Sequence, residues 1–156
     1  MTLNSSSLIV GDKVITSLIK RLNRVESDET KSYMVLSTPR VGSNLLCRSL
    51  ENTKLLGFPS EWFNPIFVRE ICKRLGKKKF NFKQYVKTIK KGSKTQNGVF
   101  GLKVHVEHYA YWAKSGINLI DIGFDAFYYV ERKDKIAQAF SFAEAKKTNH
   151  WTKEET

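Results

Sequence analysis

Residues 33–50 read Tyr33-Met34-Val35-Leu36-Ser37-Thr38-Pro39-Arg40-Val41-Gly42-Ser43-Asn44-Leu45-Leu46-Cys47-Arg48-Ser49-Leu50. The apolar run at 33–36 predicts a buried strand. Ser37 to Asn44 is a compact polar turn, and Leu45, Leu46 and Leu50 begin a helix that runs to about residue 52. A strand, a tight turn and a helix N-terminus together form an anion site. Free backbone N–H groups and the positive end of the helix dipole converge there. Arg40 adds a fixed cation, Ser43 and Asn44 add donors, and Gly42 lets the backbone approach a phosphate.

The turn is not of the Walker A type, which requires G-x-x-x-x-G-K-[ST]; here there is one glycine and no lysine after it. An ordinary strand-to-helix connection with a polar cap could carry the same residues. The wider chain supports the first interpretation. Apolar residues at Val14, Ile15, Leu18, Ile19, Leu22 and Val25 predict an amphipathic helix over 13–25, after a short serine-rich tail over 1–12 that reads as disordered. Further helices are predicted over 66–75, 82–90 and 107–115. Strands are predicted over 99–104 and 126–130. A last helix over 135–148 places Ile136, Ala139, Phe140 and Ala143 on one face. Strands separated by helices imply an α/β fold, a parallel sheet flanked by helices on both faces. Ligands in such sheets bind beyond the carboxyl ends of the strands, where the turn lies.

Composition narrows the class. The chain has 156 residues, 41% of them hydrophobic, enough for one folded core. No apolar run approaches the length of a membrane span, and the N-terminus lacks the basic and apolar regions of a secretory signal. Cys47 and Cys72 have no metal or disulfide spacing and fit a reducing, cytoplasmic setting. The net charge is +12, and residues 73–94 hold ten basic side chains and no acidic one. Such a stripe suits an anionic partner, including the inner surface of a membrane to which the protein would be peripheral, or it is a solvated helix face.

A second anion element follows the third strand. Arg132 emerges at the same edge of the sheet as Arg40, and Asp134, Gln138 and Ser141 share a helical face. Arg132 and Ser141 could grip a second phosphate from two directions, or be a strand-terminal arginine paired with an acidic neighbour and a serine bonded to its own helix.

Two anion sites on one sheet edge, neither of Walker type, are similar to those of sulfotransferases. More closely, the chain resembles the bacterial trehalose sulfotransferase family, whose fold is P-loop-like. The blocks that carry the resemblance are Thr38-Pro39-Arg40-Val41-Gly42-Ser43-Asn44-Leu45-Leu46, Gly57-Phe58-Pro59-Ser60-Glu61-Trp62-Phe63, Asn97-Gly98-Val99-Phe100-Gly101-Leu102-Lys103, and Arg132 through Ser141, with Thr148 and Trp151 beyond. They occur in family order. The family usually has serine at the position of Val41, threonine at that of Asn44 and glutamine at that of Lys147.

The resemblance implies a sulfuryl donor, 3′-phosphoadenosine 5′-phosphosulfate, with no metal, and a carbohydrate hydroxyl as acceptor. Pro39, Arg40, Gly42, Ser43, Asn44 and Leu45 match the loop that holds the 5′-phosphosulfate. Arg132 and Ser141 match the pair that holds the 3′-phosphate. Glu61 matches the general base, and Arg40 would neutralise the leaving 5′-phosphate; by its position alone Glu61 reads equally as a loop carboxylate that caps a helix or pairs with a lysine. Lys103 ends the second strand on the same edge, where it either lies near the sulfuryl group or forms a structural ion pair. Trp62 and Phe63 would shield the Glu61 carboxylate and raise its pKa, or offer a ring face to a sugar. A sulfotransferase-like domain over 32–156 follows an N-terminal tail, helix and linker over 1–31. The chain stops five residues after Trp151, short of where family members continue. The fold is therefore expected to be incomplete at its C-terminus, lacking parts of the adenine pocket and acceptor site. A homodimer is also implied.

Three other interpretations compete. His105-Val106-Glu107-His108 offers zinc ligands, but H-E-x-x-H and P-C-x-x-C are absent. A P-loop kinase lacks its lysine. A non-catalytic module could use the basic stripe on RNA or anionic glycans, with Phe80, Phe82 and Tyr85 as stacking platforms. Under the sulfotransferase interpretation nucleic acid is not an expected partner.

Overall fold

Among the described residues three parallel strands form one sheet, with the first strand in the chain at its centre. The computed structural model describes residues 5–24, 28–148 and 151, with side chains from residue 11 onward. Strand β1 (Lys31–Ser37) lies between β2 (Val99–His105) and β3 (Ala126–Val130). Its register sets Val35 beside Lys103 and Tyr128, and Ser37 beside His105 and Val130. All three strands therefore end on one rim. The α-helices among the described residues are α1 (Ser5–Arg21), α2 (Ser43–Asn52), α3 (Pro65–Arg74), α4 (Phe82–Ser93), α5 (Val106–Lys114) and α6 (Lys135–Thr148).

Alternation sorts the strand residues. Met34, Phe100, Leu102 and Val104 face one side and enter a core with Ile15, Leu18, Ile71, Ile89 and Trp112. Helices α1, α3, α4 and α5 supply that layer. The opposite side carries Tyr33, Val35 and Ser37 beside Gly101, Lys103 and His105. There Lys103 reaches Asn44 at the start of α2, which places that helix on the second face.

The expected helix over 13–25 begins earlier, at Ser5, so residues 5–12 are helical rather than disordered. No proline interrupts the segment, and Leu8, Ile9 and Val10 extend its apolar character. Gly11 allows close packing on α3: a Cβ there would lie 3.0 Å from the Phe67 ring. Asp12 and Thr16 of α1 both bond Arg74 of α3. Residues 1–4 of the expected tail and Val25 lie outside the described residues.

Helix α6 has the expected bounds. Its apolar residues do share a face, but Ile136 and Phe140 are 73% and 74% exposed. The buried residue is Ala145, and the helix is tied to the rim through Gln138 and Ser141 instead.

Several glycines in the quoted blocks have a structural role. Gly57 has φ +77°, and a Cβ there would lie 2.9 Å from Gly101 N. A Cβ on Gly101 would meet the Tyr33 hydroxyl, which donates to Leu56 O. The 57–63 loop can press against β2 only because side chains are missing at both positions.

Candidate active site

The turn after β1 has the form expected of an anion cradle. Gly42 is the N-cap of α2 with φ +86°, and nothing lies within 4 Å of where its Cβ would be. A glycine cap supplies no side chain to satisfy the helix N-terminus. Leu46 is the first residue to bond back, to Gly42 O. The N–H groups of Ser43, Asn44 and Leu45 precede it, at the positive end of the dipole. The Leu45 side chain is 70% exposed, so its contribution to an anion would come through the backbone. Arg40 itself has φ +65°, a left-handed conformation that a non-glycine residue adopts at a cost of about 1–3 kcal/mol.

Helix α6 braces this turn. Gln138 Nε2 donates to Thr38 Oγ1 at 3.0 Å and to Pro39 O at 2.9 Å. Arg40 Nε donates to Ser141 Oγ at 2.8 Å, and Arg40 Nη1 to Trp151 O at 2.6 Å. The two anion elements, a hundred residues apart in sequence, are thus in direct contact. Asp134 does not face the site as a ligand; its carboxylate caps α6 by accepting from Ala137 N. Arg132 follows the end of β3, whose Val130 pairs with Ser37, so it leaves the sheet on the rim that bears Arg40. Among the described residues it makes no hydrogen bond or ion pair, whereas Ser141 bonds Arg40 rather than Arg132.

Glu61 reaches the same rim from the 57–64 loop. Trp62 and Phe63, each 1% exposed, sink into the core on either side of the backbone. Tyr85 donates to Trp62 O and Trp112 to Phe63 O. Asn64 accepts from Ile66 N and caps α3, with Pro65 in the first turn. The loop is pinned on both flanks, and Glu61 is left facing β2. Lys103, 2% exposed, donates to Glu61 Oε1 at 2.7 Å and also to Asn44 Oδ1. One ammonium thus joins the second strand, the candidate base and the anion helix. Trp62 and Phe63 are therefore core residues and offer no ring face to a sugar.

Their expected effect on the carboxylate is also overturned. Burial by itself would raise the Glu61 pKa, but the hydrogen bond from His105 and the Lys103 charge outweigh it. Glu61 is held well below the usual carboxylate range. Burial pushes the Cys47 thiol up to about 11, so this cysteine is no nucleophile.

Sequence reasoning treated His105 and His108 only as zinc ligands. The structure sets His105 Nε2 3.1 Å from Glu61 Oε1, and its Nδ1 3.1 Å from Ser37 Oγ. Strand parity carried this signal, since Lys103 and His105 lie two residues apart and share a face. The stacking platforms proposed for the basic stripe are largely core: Tyr85 is 5% exposed, Phe82 packs against the core, and Phe80 leans on Tyr85 and Trp112.

An α/β sheet with an open helix N-terminus at its carboxyl edge and a paired carboxylate beside it has the layout of a ligand-binding edge. A family model of the Stf0 sulphotransferases matches residues 32–155. The chain belongs to that family, and its activity is of the sulfotransferase kind. No curated protein matches the sequence.

Proposed function

We propose that this chain moves a sulfuryl group from 3′-phosphoadenosine 5′-phosphosulfate to a carbohydrate hydroxyl, on a glycolipid, a disaccharide or a surface polysaccharide. The observation that carries this reading is the Arg40–Ser141 hydrogen bond. It links an anion cradle to a second anion element, as a nucleotide charged at both ends requires. The residues fit such a donor: the space at Gly42 is open, and the donors around it are N–H groups, a hydroxyl and a guanidinium.

The donor supplies an activated sulfuryl group on a phosphate leaving group. Transfer is an in-line displacement with charge building on the leaving oxygen, as in phosphoryl transfer. Arg40, with its planar fork, and the N–H groups of residues 43–45 would stabilise that charge. Lys103 donates to Glu61 and Asn44, and the third N–H of its ammonium would serve a sulfuryl oxygen. Glu61 would take the proton of the attacking hydroxyl, a role typically worth about 10²–10⁴-fold in rate. Arg132 and Ser141 would hold the 3′-phosphate, with Ser141 turning its hydroxyl from Arg40 to the ligand. The cytoplasmic setting, with the basic stripe against the inner membrane surface, belongs to this reading.

Calorimetry with 3′-phosphoadenosine 5′-phosphate tests it. Binding is expected without magnesium. Arg40→Ala should weaken it about tenfold to a hundredfold, the loss of a charge-assisted hydrogen bond. Arg132→Ala should weaken it similarly. Wild-type affinity in both variants would reject the assignment. With trehalose and other sugars as trial acceptors, Glu61→Gln should lose turnover and keep nucleotide affinity. Glutamine is preferable to alanine because its carbonyl can still accept the Lys103 hydrogen bond.

A further inference from the structure

The two oxygens of Glu61 have unlike surroundings. Oε1 is occupied by the Lys103 ammonium at 2.7 Å and by His105 Nε2 at 3.1 Å. Oε2 receives the Asn64 amide at 3.3 Å and faces His108 Nδ1 at 3.9 Å. That nitrogen is buried and, among the described residues, has no hydrogen-bond partner. An unsatisfied buried polar atom costs about 1–3 kcal/mol, so its position beside a candidate base calls for a reason.

The charges around His108 are known from each element that packs on it. They are Glu61 from the loop, Lys103 and His105 from β2, and Glu107 from its own helix. Burial lowers the His108 pKa below 6.5, opposed by Glu61 and aided by His105. It also sits in the first turn of α5, where the helix dipole disfavours a cation. His108 is therefore neutral near pH 7. With its ring proton on Nε2, Nδ1 offers a free lone pair, and its side chain keeps 17% exposure as a route to solvent. Glu61, by contrast, is held ionised by two donors on one oxygen. A carboxylate so stabilised is a weak proton acceptor, and a base works best when its pKa lies near the working pH.

We propose that His108 completes the proton path of this site: Glu61 Oε2 takes the proton of the acceptor hydroxyl and hands it to His108 Nδ1. The inference rests on Glu61 acting as the base. In the transfer the acceptor O–S bond forms and the bond from sulfur to the leaving phosphate oxygen breaks, its electron pair staying on the phosphate. The acceptor O–H bond breaks as Oε2–H forms. Then Oε2–H breaks as Nδ1–H forms, the imidazolium releases its Nε2 proton to solvent, and exchange with water moves the remaining proton from Nδ1 to Nε2, restoring the free lone pair. Closing 3.9 Å to hydrogen-bond length takes a shift of about 1 Å, within reach of a side-chain rotation.

The test uses the full chain. Turnover is followed with trehalose as acceptor and, in parallel, as sulfate released from the donor when water is the acceptor. His108→Asn and His108→Ala are each expected to lower turnover about tenfold or more, with nucleotide affinity unchanged. Added imidazole should restore part of the loss in His108→Ala, and a packing role would give no such rescue. Histidine ¹⁵N resonances provide a readout free of turnover: the His108 pKa should fall further in Glu61→Gln. Wild-type turnover in both His108 variants, alongside loss in Glu61→Gln, would overturn the relay alone. Full turnover in Glu61→Gln would overturn the base assignment and the relay with it. A His108 titration indifferent to Glu61→Gln would show that the two groups are not coupled and would also overturn the relay.

Discussion

Strands β2 and β3 both pair in parallel with β1, yet their side chains have different fates. Phe100, Leu102 and Val104 of β2 are at most 1% exposed, while Phe127, Tyr128 and Tyr129 of β3 are 48%, 57% and 61% exposed. The same contrast holds for the helices. Ile89 of α4 is fully buried, whereas Ile136 and Phe140 of α6 lie mostly open. One half of the molecule is a packed platform that holds Glu61 and Lys103 in place. The other half brings Arg132 and Ser141 to the rim: β3 is held by its ladder with β1, and α6 by the hydrogen bonds of Gln138 and Arg40. Apolar burial is therefore concentrated in the first half, and the residues proposed to hold the 3′-phosphate lie in the second.

Substitutions can break this contrast. Phe100→Ala empties a core position and should destabilise by about 3–5 kcal/mol in denaturant unfolding. A loss below about 1 kcal/mol would mean that the platform is not the stable half. Gly57→Ala forces a Cβ against the backbone of β2 at φ +77° and should lose about 2 kcal/mol, within the usual range for such strain. If it is neutral, the loop does not press on the strand as described.

A smaller effect is confined to acid. The folded-state pKa of Glu61 is depressed, so its stabilisation is present above the ordinary carboxylate value of 4.5 and is lost as pH falls through the lower folded value. Unfolding midpoints should drop below about pH 4.5. That slope should flatten in Glu61→Gln, and an unchanged slope would clear Glu61 of the role. The smallest effect belongs to the open half. Phe140→Ala removes a ring that is 74% exposed and should change stability by less than about 0.5 kcal/mol. A larger loss would show that this face is covered in solution.

Much of this was legible in the residues. Periodicity placed β3 and α6 at their observed bounds, and the residues around Gly42 read correctly as a tight turn into a helix. Exposure was harder to read. The apolar spacing of Ile136, Ala139, Phe140 and Ala143 reads as a core face, because periodicity reports which residues lie together and not whether another layer covers them. Trp62 and Phe63 looked accessible because they stand in a loop between prolines. Hydrogen bonds from Tyr85 and Trp112, both distant in sequence, draw that loop into the core.

The sequence by itself determined the local order: which segments are strands or helices, where the backbone turns, and which residues could bind an anion. These follow from short-range sterics and side-chain spacing. Only the tertiary structure decided the partners, joining Arg40 to Ser141 and setting Lys103, His105 and His108 around one carboxylate. Such pairings depend on strand register and on the packing of distant segments. No local pattern encodes the resulting burial and charge, and those set the protonation state of Glu61.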